Sequence, residues 1–156
     1  MNQLSKLLPL SSIAIDSPAG DKAAALDVVA ALFATASAID QARIGASLRA
    51  REELGSTGLG LGVAIPHGRL RGLKRAQAAV VRLRLPVAFD APDGRPVGLL
   101  VALLVPENAT QEHLELLSEL AQMLSDRELR DGLMADPTAA ALLARFAAWE
   151  PIRPAA

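Results

Sequence analysis

The sequence predicts an α/β domain in which one β-sheet is covered by helices. Three observations carry this. Val97 to Val105 is continuously apolar, the pattern of a central strand buried on both faces. Ala78 to Leu85 alternates, with Val81, Leu83 and Leu85 set against Arg82 and Arg84, which is strand periodicity. Helical patterns lie before, between and after these strands. The clearest runs from Gln111 to Leu124, where Leu116, Leu117, Leu120, Ala121 and Leu124 share one side and Gln111, Glu115, Ser118 and Gln122 the other.

The remaining elements follow in chain order. Asp21 is suited to cap a first helix over Lys22 to Ala34. A second helix is predicted from about Ile39 to Leu54, with Ser37 before it and Gly55 as its C-terminal stop. Val63-Ala64-Ile65 reads as a short extended segment, because Pro66 biases the residue before it away from helix. Val87-Ala88-Phe89 and Pro96-Val97 flank Asp93-Gly94, a turn signal. Ser125-Asp126-Arg127-Glu128 resembles a capping box. Asp136-Pro137 supplies an N-cap and a first-turn proline for a last helix reaching roughly Trp149. A length of 156 residues fits one domain, with its core at about 5–148.

Composition removes several function classes. Hydrophobic residues make up 51% and aromatics 3%, so the core rests on aliphatic side chains and base stacking is not expected. A net charge of −1 leaves no basic footprint for nucleic acid or an anionic membrane. Cysteine is absent, which excludes disulfides and thiolate metal sites. Met1 to Leu10 makes a poor signal peptide and Val97 to Val105 is too short to span a bilayer, so a soluble cytoplasmic protein is expected.

Chemistry centres on the two histidines. His67 follows Gly58-Leu59-Gly60-Leu61-Gly62-Val63-Ala64-Ile65-Pro66. His113 falls on the apolar side of its helix, three residues after Thr110, so its ring points toward the sheet near the positive end of the helix dipole. It reads either as a buried, hydrogen-bonded histidine or as a second imidazole of one site. Arg51 continues the Ile44–Leu48 stripe, either as a snorkelling surface arginine or as a guanidinium aimed at an anion. Gly58, Gly60 and Gly62 form neither a phosphate-binding P-loop nor a dinucleotide fingerprint. They fit a tight turn needing positive φ, or backbone amides that bind an oxyanion with help from the Ser56 and Thr57 hydroxyls. A zinc site using Glu52, Glu53 or Glu112 is not expected, because the histidines lie 46 residues apart without metal-ligand spacing.

The stretch from Arg51-Glu52-Glu53-Leu54-Gly55-Ser56-Thr57 through Ile65-Pro66-His67-Gly68 resembles the active-site signature of the fructose/mannitol-type EIIA domains of the bacterial phosphotransferase system. Ala88-Phe89-Asp90-Ala91, Leu103-Leu104-Val105-Pro106 and His113-Leu114-Glu115-Leu116-Leu117 extend the likeness over nearly the whole chain, nearest to the nitrogen-regulatory branch, EIIA-Ntr. The chain departs at Leu61, where many relatives carry asparagine, which removes a polar side chain from the loop. The resemblance implies a mixed sheet with helices on both faces. It implies a phosphotransferase component in which His67 accepts a phosphoryl group from an HPr/NPr-type carrier, with His113 and Arg51 beside it and no metal or cofactor. It also implies regulatory protein targets, such as potassium-transport or sensor-kinase proteins. Two other functions stay open: a sugar-specific EIIA that passes phosphate to an EIIB domain, and an unphosphorylated binding module or hydrolase using His67 as base. The last has no evident nucleophile, since Ser56 and Thr57 lack a nucleophile-elbow pattern.

Overall fold

The structure is a computed structural model that describes residues 2–151. The outermost positions of the expected domain, 1 and 152–156, lie outside the described residues. Two short 3₁₀ turns, Leu4–Leu7 and Leu10–Ser12, lead into β1 (Ile13–Ser17), α1 (Lys22–Ser37) and α2 (Gln41–Glu53). Then come β2 (Gly58–Gly60), β3 (Val63–Ala64), β4 (His67–Leu70), β5 (Gln77–Val87) and β6 (Val97–Pro106). Helices α3 (Thr110–Ser125), α4 (Arg127–Ala135) and α5 (Ala139–Ala148) close the chain.

The strands form one mixed sheet in the order β1-β5-β6-β3-β2, with β4 also pairing β6. The apolar run of β6 is its centre, buried on both faces from Val97 to Val105. Leu99, Val101, Leu103 and Val105 pack with Leu116, Leu120, Leu133 and Phe146 of α3–α5. Leu100, Ala102 and Leu104 pack with Leu26, Phe33, Ile44 and Leu48 of α1–α2. Strand side chains alternate between faces, so this one segment organises both helical layers. The mixed sheet with helices on both faces is borne out.

Several boundaries differ from expectation. α1 continues to Ser37 and stops at Ala38, which turns left-handed at φ 59°. α2 consequently starts two residues later than expected, capped by Asp40, while the Ser37 hydroxyl accepts the Ile39 N–H. The cap of α4 is Asp126, whose carboxylate accepts the Glu128 and Leu129 amides; the Ser125 hydroxyl instead donates to the Gln122 carbonyl. Thr138 caps α5. Asp136 is diverted to Arg145, which grips it with Nε and Nη2 at 2.9 and 3.0 Å. A bidentate charged pair is a stronger use for that carboxylate than one exposed amide.

β3 and β4 lie on the same side of β6. Val63 pairs Leu99 and Ala64 pairs Leu100; beyond Ile65-Pro66, His67 pairs Leu103 and Gly68 pairs Leu104. The register is the same on both sides of the proline, so the break turns the Ile65 carbonyl aside without slipping the strand.

Candidate active site around His67

His67 sits at the sheet's rim, where both helical layers can reach it. Its partner Leu103 faces α3–α5, so its ring faces that layer; Gly68 faces α2, and Arg69 returns to the α3 side. The outer edge of β4 is lined by α2. Arg43 Nη2 donates to the Arg71 carbonyl at 2.7 Å, Ser47 Oγ to the Arg69 carbonyl at 3.0 Å, and Arg51 Nε to His67 Nε2 at 3.2 Å. Four helical residues rise about 6 Å and two strand residues about 6.6 Å. Donors spaced by four therefore keep step with acceptors spaced by two.

Gly68 allows this approach, because a Cβ there would stand 2.5 Å from Ser47 Oγ. Gly68→Ala is expected to push β4 off α2, cost about 1–3 kcal/mol by overpacking, and separate Arg51 from His67. The histidine should then titrate at higher pH, as followed by side-chain NMR. An unchanged titration in the folded variant contradicts this account.

The tautomer of His67 is set from both sides. Its Nδ1 lies 2.8 Å from the Ile65 carbonyl, which can only accept, so Nδ1 carries the proton. Nε2 keeps its lone pair and receives the Arg51 Nε–H. Burial is the main force holding its pKa below 6.5; Arg51 acts the same way, while the Ile65 carbonyl and Glu52 oppose. Arg51 is also fixed by Nη1 to the Gly55 carbonyl at 2.8 Å. Its guanidinium is therefore turned to His67 and Gly55 rather than snorkelling to solvent.

His113 meets His67 edge to face, with ring centroids 5.3 Å apart and planes at 87°. It is 8% exposed, and its Nδ1 finds no partner among the described residues. Burial first, then the charges of His67, Arg69 and Arg51, lower its pKa to about 4. Between pH 6.5 and about 4 the unfolded chain therefore binds more protons at this residue than the folded one, so the contribution to stability falls as pH falls through that window. Denaturant unfolding across pH 4–7 should show a slope that flattens in His113→Gln; equal slopes would refute the buried neutral ring.

The Gly-rich loop is bonded into the fold more fully than expected. Thr57 donates both its amide and its hydroxyl to Glu52, at 2.9 and 2.6 Å. The Ser56 hydroxyl donates to the Phe89 carbonyl at 2.6 Å and accepts the Gly58 amide at 3.0 Å. These groups are bonded within the fold, while Ser56, Thr57 and Gly58 also line the cleft beside His67. Gly60 and Gly62 have φ of 84° and 82°, so the tight-turn reading holds for both. Between them Leu61 is left-handed at φ 61°, which asparagine tolerates better than leucine. Its backbone amide ties the turn to Asp93 at 2.9 Å, a bond that needs no polar side chain at 61.

Glu52, weighed in the sequence only as a zinc ligand, and Arg69, not singled out there, also lie in this neighbourhood. Glu52 is 8% exposed, and Lys22 Nζ sits 2.8 Å from it. It lies one helical repeat beyond Leu48 on the apolar stripe, and a carboxylate there was the available signal. Arg69 reaches the first turn of α3, with Nη1 donating to Thr110 Oγ1 at 3.2 Å. Arg51, Ser56, Leu59, Ile65, His67 and Leu117 line a cleft of 240 Å³. Leu54, Leu59 and Leu114, each near one of these residues in sequence, remain exposed.

A family profile described as phosphoenolpyruvate-dependent sugar phosphotransferase system, EIIA 2, matches residues 6–148. The chain is 48% identical over 143 residues to a nitrogen regulatory protein of Pseudomonas aeruginosa, covering 91% of this chain and 93% of that one. It is 31% identical over 136 residues to a fructose-specific EIIA component of Haloferax volcanii, covering 86% and 88%. Among solved structures, the nitrogen regulatory protein IIA-Ntr of Neisseria meningitidis aligns with a TM-score of 0.88 at 48% identity, over 92% of this chain and 99% of that one. The mannitol IIA of Escherichia coli shares the fold, with a TM-score of 0.74 at 18% identity over 88% and 96%. The resemblance to the nitrogen-regulatory proteins is thus borne out over nearly the whole chain. The chain belongs to the EIIA 2 family of the phosphoenolpyruvate-dependent sugar phosphotransferase system.

Proposed function

We propose that this protein is a nitrogen-branch regulatory EIIA that accepts a phosphoryl group on His67 Nε2 from the phosphohistidine of an HPr/NPr-type carrier. The observation that carries the reading is the fixed tautomer: a lone pair on Nε2, beside a guanidinium, at a cleft on the protein's rim. In the transfer the bond from phosphorus to the donor imidazole breaks as the bond to Nε2 forms. The His67 proton stays on Nδ1, where the Ile65 carbonyl stabilises the cationic ring of the product. The donor ring, protonated on its other nitrogen while phosphorylated, leaves neutral. Such transfers depend on positioning and charge stabilisation. Arg51 supplies a charge for the phosphoryl oxygens, and neutral His113 packs against the acceptor ring.

Leu59, exposed at the cleft, suits contact with a protein surface. The 48% identity to proteins named nitrogen regulatory, against 31% to a fructose-specific EIIA, favours regulation over sugar delivery. Among the described residues no helix is long and apolar enough to cross a membrane, and a cytoplasmic site of action belongs to this reading. The added charge would switch contacts with regulatory targets of the potassium-transport or sensor-kinase kind.

The test is intact-mass spectrometry after incubation with phosphoenolpyruvate and the upstream carriers, with site mapping under non-acidic conditions. One phosphoryl group on His67 is expected. No uptake overturns the reading, and delivery to sugar through an added EIIB moves the protein to the transport role.

A further inference from the structure

We propose that Arg69 is a second guanidinium of the phosphoryl site, contacting the transferred group from the α3 side while Arg51 contacts it from the α2 side. The inference rests on the phosphoryl-acceptor reading of His67 and adds a residue to it. Residues two apart on a strand project from the same face, so Arg69 stands beside His67 and rises into the same layer. Its Nη1 is 3.2 Å from Thr110 Oγ1, three residues before His113, whose ring is 5.3 Å from that of His67. The two guanidiniums thus flank the histidine pair, one arriving from α2 and one from β4.

Among the described residues the Arg69 side chain is bonded to one neutral hydroxyl and to no carboxylate. Arg145, by contrast, is committed to Asp136. The guanidinium therefore keeps donors for an incoming anion, and its fork matches two oxygens at once. The phosphoryl group in flight spreads charge over three equatorial oxygens. Arg51, with Nη1 on Gly55 and Nε on His67, leaves oxygens on the far side to be met. His113, buried with Nδ1 unpaired among the described residues, feels the charge of both arginines, which places each of them close to the histidine pair.

The test compares wild type, Arg69→Ala and Arg69→Lys in two measurements. The first is the rate of transfer from the phosphorylated carrier at saturating carrier. The second is binding of inorganic phosphate, followed through the imidazole nitrogen shifts of His67 and His113. Arg69→Ala should lower kcat on the order of 10-fold with little change in KM and weaken phosphate about as much, the loss expected of one charged hydrogen bond at an exposed position, with Arg69→Lys recovering part of both. Because Arg69 is exposed, thermal unfolding should match wild type.

Equal kcat and equal phosphate affinity in Arg69→Ala overturn the proposal. So does a loss confined to KM and abolished by salt, which would make Arg69 a docking residue. If wild type takes no phosphoryl group while phosphate binding still depends on Arg69, the carrier reading fails and the anion contact stands. If wild type neither takes phosphoryl nor binds phosphate, both fall.

Discussion

His67→Ala is expected to take up no phosphoryl group from the phosphorylated carrier, a loss on the order of 10³-fold or more, as removal of a nucleophile brings. The fold should survive. The ring lies at the rim of the sheet and contributes two side-chain hydrogen bonds, one from Nδ1 to the Ile65 carbonyl and one at Nε2 from Arg51. Losing them costs about 1–2 kcal/mol. The variant separates His67 from His113 as acceptor. His113 is buried, has its pKa lowered to about 4, and its Nδ1 has no hydrogen-bond partner among the described residues to fix a tautomer. Label appearing on His113 in His67→Ala, at a rate near wild type, would reverse the assignment of the two rings. Intact mass and circular dichroism on one sample decide between these results.

The second large effect is expected at Glu52. Its carboxylate accepts the amide and hydroxyl of Thr57; the Thr57 carbonyl accepts the Ile65 amide at 3.0 Å; and the Ile65 carbonyl accepts His67 Nδ1–H. Three residues, Thr57, Ile65 and His67, thus hang in series from one buried carboxylate, with His67 at the end. Lys22, at 2.8 Å, neutralises it from α1 and also lies 4.7 Å from the Phe89 ring centre. Glu52→Ala leaves the two Thr57 donors unpaired in the interior and leaves the Lys22 ammonium only its longer contacts, 3.4 Å to the Phe89 carbonyl and 3.4 Å to Asp90. That should destabilise the fold by about 3 kcal/mol, a Tm lowered by roughly 6–12 °C for a domain of this size. In the folded fraction His67 should lose its fixed tautomer and accept phosphate more slowly. Glu52→Gln, which restores one acceptor, should lie between. A Tm for Glu52→Ala within 2 °C of wild type, a bound of about 1 kcal/mol, contradicts the role given to this carboxylate.

Much of this architecture was legible because apolar pattern and burial coincide. β6 is an unbroken apolar run because helices cover both its faces, and α3 shows its stripe because its other side meets water. The strands that were missed carry little pattern of their own. β4 is His67-Gly68-Arg69-Leu70, extended because Leu103–Pro106 pairs with it, and β2 is Gly58-Leu59-Gly60, poor in strand-forming residues. β1 is five residues long and broken by Asp16 at φ 54°. At the site, His113 and Arg51 could be placed from helical spacing alone. The Ile65 carbonyl could not, because a backbone acceptor leaves no trace in residue type. Ser56 and Thr57 were ambiguous for a related reason: their hydroxyls serve equally well for a ligand or for the fold, and the Phe89 carbonyl and Glu52 that they meet come from elsewhere in the chain.

The row of α2 donors along β4 also bears on solubility. A strand paired on one side only offers a line of backbone acceptors to any passing chain, a common route to edge-to-edge association. On the proposed reading His67 needs a rim position to meet its carrier, and a rim position in a sheet carries that hazard. Here Arg43 and Ser47 occupy the Arg71 and Arg69 carbonyls. The helix stands where a foreign strand would add, leaving the imidazole accessible and the backbone closed to recruitment.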